Sequence, residues 1–152
     1  MTPDLTIYRR IVESTPDAVI LADAEGVIRL WNAGAERLFG HTAQEAIGQS
    51  LDLIVPERNR EAHWAGYDRV METGVSKYTT DLLNVPAFHK DGQRVSVEFT
   101  VALLKDAEGK MEGIAAILRD VTDRFQRDRE RTARIRVLEA KVKDLGADPT
   151  AI

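Results

Sequence analysis

The chain has no cysteine among its 152 residues. That excludes disulfides, thiolate metal sites, zinc fingers, iron–sulfur clusters and a cysteine nucleophile together. Histidine is almost as scarce. With only His41, His63 and His89, a multi-histidine metal site needs all three to converge, and no pair has the helical spacing of HExxH. No apolar run approaches the ~18 residues of a membrane span. The opening MTPDLTIYRR lacks the basic start and apolar stretch of a signal peptide, so a cytoplasmic location without a membrane partner is expected. A net charge of −4 offers no basic surface for nucleic acid. There is no Gly-rich phosphate loop, and no nucleophile stands beside a base at a motif spacing. An enzyme is not expected.

What is present suits one globular domain: 43% apolar and 30% charged residues. Leu5, Tyr8, Ile11 and Val12 recur at near-helical spacing, which predicts a short helix within residues 1–15. Two apolar runs flank the hairpin signal DAEG. Residues 33–40 read as a short helix stopped by Gly40. In TAQEAIG, Thr42 and Glu45 form a capping-box pattern ended by Gly48. VPERNREAHWAGYDRVMETG reads as a longer helix from Pro56 to a stop at Gly74, with Gly66 costing roughly 1 kcal/mol relative to alanine. Three strands should follow. The first covers residues 78–88 and is broken or ended by Pro86. The second, RVSVEFTVALL, puts Val95, Val97, Phe99, Val101 and Leu103 on one face and Ser96, Glu98 and Thr100 on the other. The third is MEGIAAILRDVT. His41 and His89 fall in turns and should be exposed.

From Asp123 the composition becomes highly charged and helical. Ile135, Leu138, Val142 and Leu145 follow one another at spacings of 3, 4 and 3, a heptad seam. It predicts a homodimer contact, parallel or antiparallel. The expected organisation is an N-terminal helix (1–15), a domain (16–122), an exit helix (123–146) and a frayed tail (147–152). The fold class is α+β: a five-stranded antiparallel sheet with helices on one face and a C-terminal helix. Such a layout encloses a pocket between sheet and longer helix.

This order resembles the PAS sensor domain. The stretches that carry the resemblance are DAVILADAEGVIRLWNAGAERLFGHTAQEAIGQSL, KDGQRVSVEFTVALL and GIAAILRDVTDR, which together span about residues 5–124. The resemblance implies a sensing or interaction role and makes the last helix similar to a PAS signalling helix. It implies that Asn32 ties adjacent turn backbone together, and that Asp120 and Thr122 join the sheet to the exit helix. PAS pockets hold heme, flavin, small carboxylates, aromatic chromophores or only side chains. The light-sensing LOV class and the photoactive yellow protein class need a cysteine, which is absent. A non-photochemical flavin remains open, with Trp31 as its possible support.

The segment VPERNREAHWAGYDRVMETG is similar to the heme-contacting helix of FixL-type oxygen-sensor domains. Pro56, His63 at the eighth position counted from it, and Arg69 six residues later match that helix. The resemblance implies heme b, with His63 as proximal metal ligand and Arg69 on a propionate. On a helix turning ~100° per residue, Tyr67 lies about 40° from His63 and Val70 about 20° to the other side. His63 therefore shares an apolar face. Arg69 lies ~120° away, toward a pocket rim. Val97, Phe99, Val101, Ile114, Ala116 and Leu118 should form the opposite wall. The sequence departs from the FixL pattern at Leu83, where those domains place an arginine; Asn84 should point to the other side. An apolar distal side favours CO or NO over dioxygen. The alternatives are a cofactor-free interaction module, a small-organic-ligand sensor or a flavin sensor. The chain reads either as a piece of a larger receptor or as a stand-alone sensor acting through an unidentified downstream protein.

Overall fold

A computed structural model describes residues 2–146. The tail expected at 147–152 lies outside the described residues. Helix α1 (Leu5–Ser14) is capped by the Asp4 carboxylate, which accepts from Ile7 N. Strands β1 (Ala18–Asp23) and β2 (Ile28–Trp31) form the hairpin. The Asp23 carboxylate folds its turn by accepting from Glu25 N and Val27 N. Helix α2 (Ala33–Phe39) ends at Gly40, whose φ of 80° is the left-handed stop the sequence predicts. Helix α3 (Ala43–Ala46) carries the capping box of Thr42 and Glu45, with both reciprocal bonds formed.

The longer helix starts later than expected. Residues 57–59 make a 3₁₀ turn after Pro56, and α4 runs Arg60–Thr73 to a left-handed Gly74. The following strand is also shorter. Lys77–Thr79 form a 3₁₀ turn and β3 begins only at Leu83 (Leu83–Phe88). The β-branched Thr79 and Thr80 read as strand formers, but their hydroxyls donate back to the Ser76 and Lys77 carbonyls and close a turn instead. Pro86 neither breaks nor ends β3. It pairs with Ser96 in an edge strand. Phe88 N, two residues on and facing the same way, points away from the sheet to Ile54 O, so the missing proline N–H removes no ladder bond.

Strands β4 (Arg94–Lys105) and β5 (Met111–Asp120) complete an antiparallel sheet of order β2-β1-β5-β4-β3. The register aligns side chains in ranks. Leu83 pairs Phe99, Phe99 pairs Leu118, and Leu118 pairs Ala18. One step along, Val101, Ala116 and Ile20 align. Paired residues share a face, so the apolar alternation of β4 becomes a continuous apolar wall. Ser96, expected on the polar face, is buried. The core gathers Ile20, Ile28, Trp31, Phe39, Val97 and Leu118. Within it Asn32, fully buried, uses its whole amide: Oδ1 accepts from Val19 N and Ala35 N, and Nδ2 donates to Val12 O and Asp17 O.

The chain divides into two compact units between Asp120 and Val121. The second contains α5 (Thr122–Asp144), whose Ile135 and Leu138 are exposed. Leu145, expected inside this helix, is its C-cap residue. No helix among the described residues is long and apolar enough to cross a membrane.

Candidate functional site

The first unit holds a cavity of about 680 Å³ lined by α4, residues 51–55, the 75–78 turn and the sheet wall. All eight residues singled out in the sequence line it: His63, Tyr67, Arg69, Val70, Leu83, Phe99, Val101 and Leu118. Ile114 and Ala116 join them, as does Leu51 from the loop side. Asn84 is exposed and does not reach the cavity, as the two-residue strand period requires. Trp31 is also outside the lining. It is buried against Phe39 at 5.5 Å between ring centroids and donates its indole N–H to His41 O.

His63 sits a little after the start of α4. Burial removes its imidazole from water and pushes its pKa below the ordinary value, against a partial pull from the Asp52 carboxylate. The ring is therefore neutral at pH 7. It packs edge-on to Trp64 at 4.7 Å and lies 6.0 Å from the Tyr67 ring. Among the described residues, two side-chain polar atoms are fully buried without a hydrogen bond: Asn59 Oδ1 and His63 Nδ1.

Tyr67 contributes its ring to the cavity, but its hydroxyl is committed to backbone. It donates at 2.6 Å to Asp23 O, with Ala22 O at 3.2 Å. Burial raises its pKa far above the ordinary phenol range, so it acts as a neutral donor. Gly66 faces the cavity with open space where a Cβ would stand. A glycine here weakens the helix but clears room against its backbone.

The charge lining is one-sided. Arg69 and Lys77 both line the cavity, and no aspartate or glutamate does. No hydrogen bond or ion pair engages the Arg69 guanidinium among the described residues. Lys77 Nζ lies 5.2 Å over the Tyr78 ring. An anionic group is favoured here electrostatically. No sequence signal singles out Lys77: it precedes the strand expected at 78–88 and opens a 3₁₀ turn that no local motif announces.

A clasp holds the start of α4. The Trp64 indole donates to Asp52 Oδ1 at 2.8 Å, and Arg60 donates to Val55 O and Asp52 O. The Trp64 ring lies so close over Gly26 that a Cβ there would collide with it. Neither partner of Trp64 is near it in sequence, so no local pattern announces the clasp.

The remaining histidines are not exposed turn residues. The His41 side chain is 15% exposed and packs edge-on to Trp31. His89 covers Gly40, and its Nδ1 accepts from Asp91 N. Neither lines the cavity, and no group of three or more metal-ligating side chains forms among the described residues.

A family profile described as the PAS fold matches residues 12–126, and the chain belongs to the PAS family. The sensor protein FixL of Bradyrhizobium diazoefficiens is 39% identical over 75 residues, which cover 49% of this chain and 13% of that protein. The oxygen sensor protein DosP of Escherichia coli is 24% identical over 125 residues, 82% of this chain and 16% of that protein. The crystal structure of a PAS domain from Colwellia psychrerythraea superposes with a TM-score of 0.69 at 24% identity, covering 78% of this chain and 98% of that one. The chain thus spans less than a fifth of the length of these curated relatives.

Proposed function

We propose that this PAS domain is a heme-binding sensor in which His63 is the axial ligand. The carrying observation is the composition of the cavity: a neutral imidazole on an apolar wall, two cations and no carboxylate. Bound heme supplies an iron centre that takes diatomic gases or changes redox state. The chain's residues fit that group. A neutral imidazole has one ring nitrogen free to donate a lone pair. Leu83, Phe99, Val101 and Leu118 offer a flat apolar wall. Gly66 leaves space where a Cβ would press on a planar ligand. Arg69 and Lys77 suit two propionates. DosP, a relative over most of this chain, is named an oxygen sensor. Here Leu83 offers no hydrogen-bond donor, so CO or NO is favoured over dioxygen.

The role is binding and signalling rather than catalysis. A ligand that favours one packing of α4 against the sheet shifts the balance between two arrangements. The change passes through Asp120 and Thr122 into α5, acting in a homodimer joined along Ile135, Leu138, Val142 and Leu145. One observation favours a second reading. The same apolar wall with Arg69 and Lys77 also suits a small organic acid.

Hemin titration of the purified chain tests the first reading. Wild type should develop a Soret band at one equivalent, and His63→Ala should lose or shift it. Arg69→Ala with Lys77→Ala should weaken hemin binding but leave binding of hemin dimethyl ester unchanged. A colourless wild-type protein removes heme and leaves the organic-acid sensor or the cofactor-free module.

A further inference from the structure

We propose that Asn59 is a positioning residue for His63: its side-chain carbonyl accepts the Nδ1–H of the imidazole, fixing the tautomer that turns Nε2 to the cavity. The proposal rests on the reading of His63 as a ligand-binding residue, and its first test needs no heme.

Three observations meet at this pair. Asn59 Oδ1 and His63 Nδ1 are the two fully buried side-chain polar atoms without a hydrogen bond among the described residues. One is an obligate acceptor and the other can be a donor. Leaving both unmet costs each group its hydration with no bond in return, whereas pairing them removes both penalties.

The two residues stand four apart, at the N-cap of α4 and one turn inside it. Side chains at that spacing are neighbours. A helical side chain also leans toward the helix N-terminus, which carries the His63 ring back over the turn that begins at Asn59. Both residues line the same cavity.

Finally, Asn59 does not do what asparagine usually does at an N-cap. Its backbone is helical (φ −99°, ψ −8°), and its side chain makes no capping bond. Asparagine at an N-cap normally accepts from a backbone N–H two or three residues on. Here the amide is released from that duty and free to turn toward the ring. A histidine that binds a metal through one nitrogen donates its other N–H to an oxygen acceptor, which fixes orientation and strengthens the donated lone pair. The Asn59 carbonyl, buried and unpartnered one turn before the ring, is the acceptor we assign to that bond.

The test starts on ¹⁵N-labelled chain without heme. Long-range ¹H–¹⁵N spectra of the imidazole at neutral pH report which nitrogen carries the proton. Wild type and Asn59→Asp, which keeps an acceptor of the same reach, should hold His63 as the Nδ1–H tautomer. Asn59→Ser still caps a helix but is too short to reach the ring, and should move His63 to the Nε2–H tautomer. An Nε2–H tautomer in wild type, or an unchanged tautomer in Asn59→Ser, overturns the proposal. In hemin-loaded protein Asn59→Ser should hold hemin roughly 10- to 100-fold less tightly than wild type. Equal affinities would confine Asn59 to the helix start and also overturn it. If wild type takes up no hemin, the heme reading falls, and the tautomer result alone judges the Asn59 contact.

Discussion

The Tyr67 hydroxyl donates to the carbonyl oxygen of Asp23 at 2.6 Å, tying the middle of α4 to the end of β1. Tyr67→Phe keeps the ring and removes the tie. Asp23 O retains a bond from Gly26 N, so the loss should be that of one ordinary hydrogen bond, about 1 kcal/mol. A urea melt should show a lower midpoint with an unchanged slope. An unchanged midpoint would mean that the tie adds nothing to the hold on α4.

Gly66→Ala separates stability from binding. A Cβ at this position meets no atom within 4 Å, so the helix should gain about 1 kcal/mol from the better propensity of alanine. The same methyl stands in cavity space. The variant should melt later and take up hemin more weakly. A more stable variant with undiminished hemin affinity would show that no ligand lies against this turn.

Acid should destabilise the domain through His41. Burial lowers its pKa below 6.5; Glu45 opposes the shift, while Lys90 and His89 add to it. As pH falls through about 6.5 the unfolded chain takes the proton before the folded one, so stability present above that pH is lost below it. Burial of His63 acts in the same direction. Thermal midpoints followed from about pH 7.5 to about pH 5 should fall, and His41→Gln should remove part of the slope. An equally steep slope in His41→Gln would place the titration elsewhere.

The proposed dimer seam predicts that Leu138→Asp separates the protomers. Leu138 is half-exposed, so the change should leave helix content unaltered. Sedimentation should show a dimer for wild type and a monomer for the variant. Identical profiles would remove the seam.

Much of this was legible in the sequence because local chemistry decided it. The Thr42–Glu45 box and the stops at Gly40 and Gly74 need only residues a few positions apart. The alternation of β4 gave the cavity wall, since a period of two leaves no choice of face. Tyr67, Val70, Phe99, Val101 and Leu118 follow from helix and strand periodicity, whereas His63, Arg69 and Leu83 are singled out by the resemblance to the FixL-type helix and strand. What escaped depends on distant partners. The turn at Lys77–Thr79 overlaps the strand expected from residue 78, because threonine suits both strands and hydroxyl-closed turns, and Lys77 just before it carries no signal of its own. His41 packs against Trp31 and His89 over the glycine at the end of α2, contacts that no local pattern carries. Nothing in the sequence marks Asn59. Only the unmet bonds of Asn59 and His63 single it out.

The central claim, that His63 binds the iron of heme, is tested most directly by His63→Gly with added imidazole. The variant should bind hemin weakly, without the wild-type Soret band. Free imidazole entering the vacated space should restore the wild-type spectrum. A His63→Gly spectrum identical to wild type before any imidazole is added would contradict the claim.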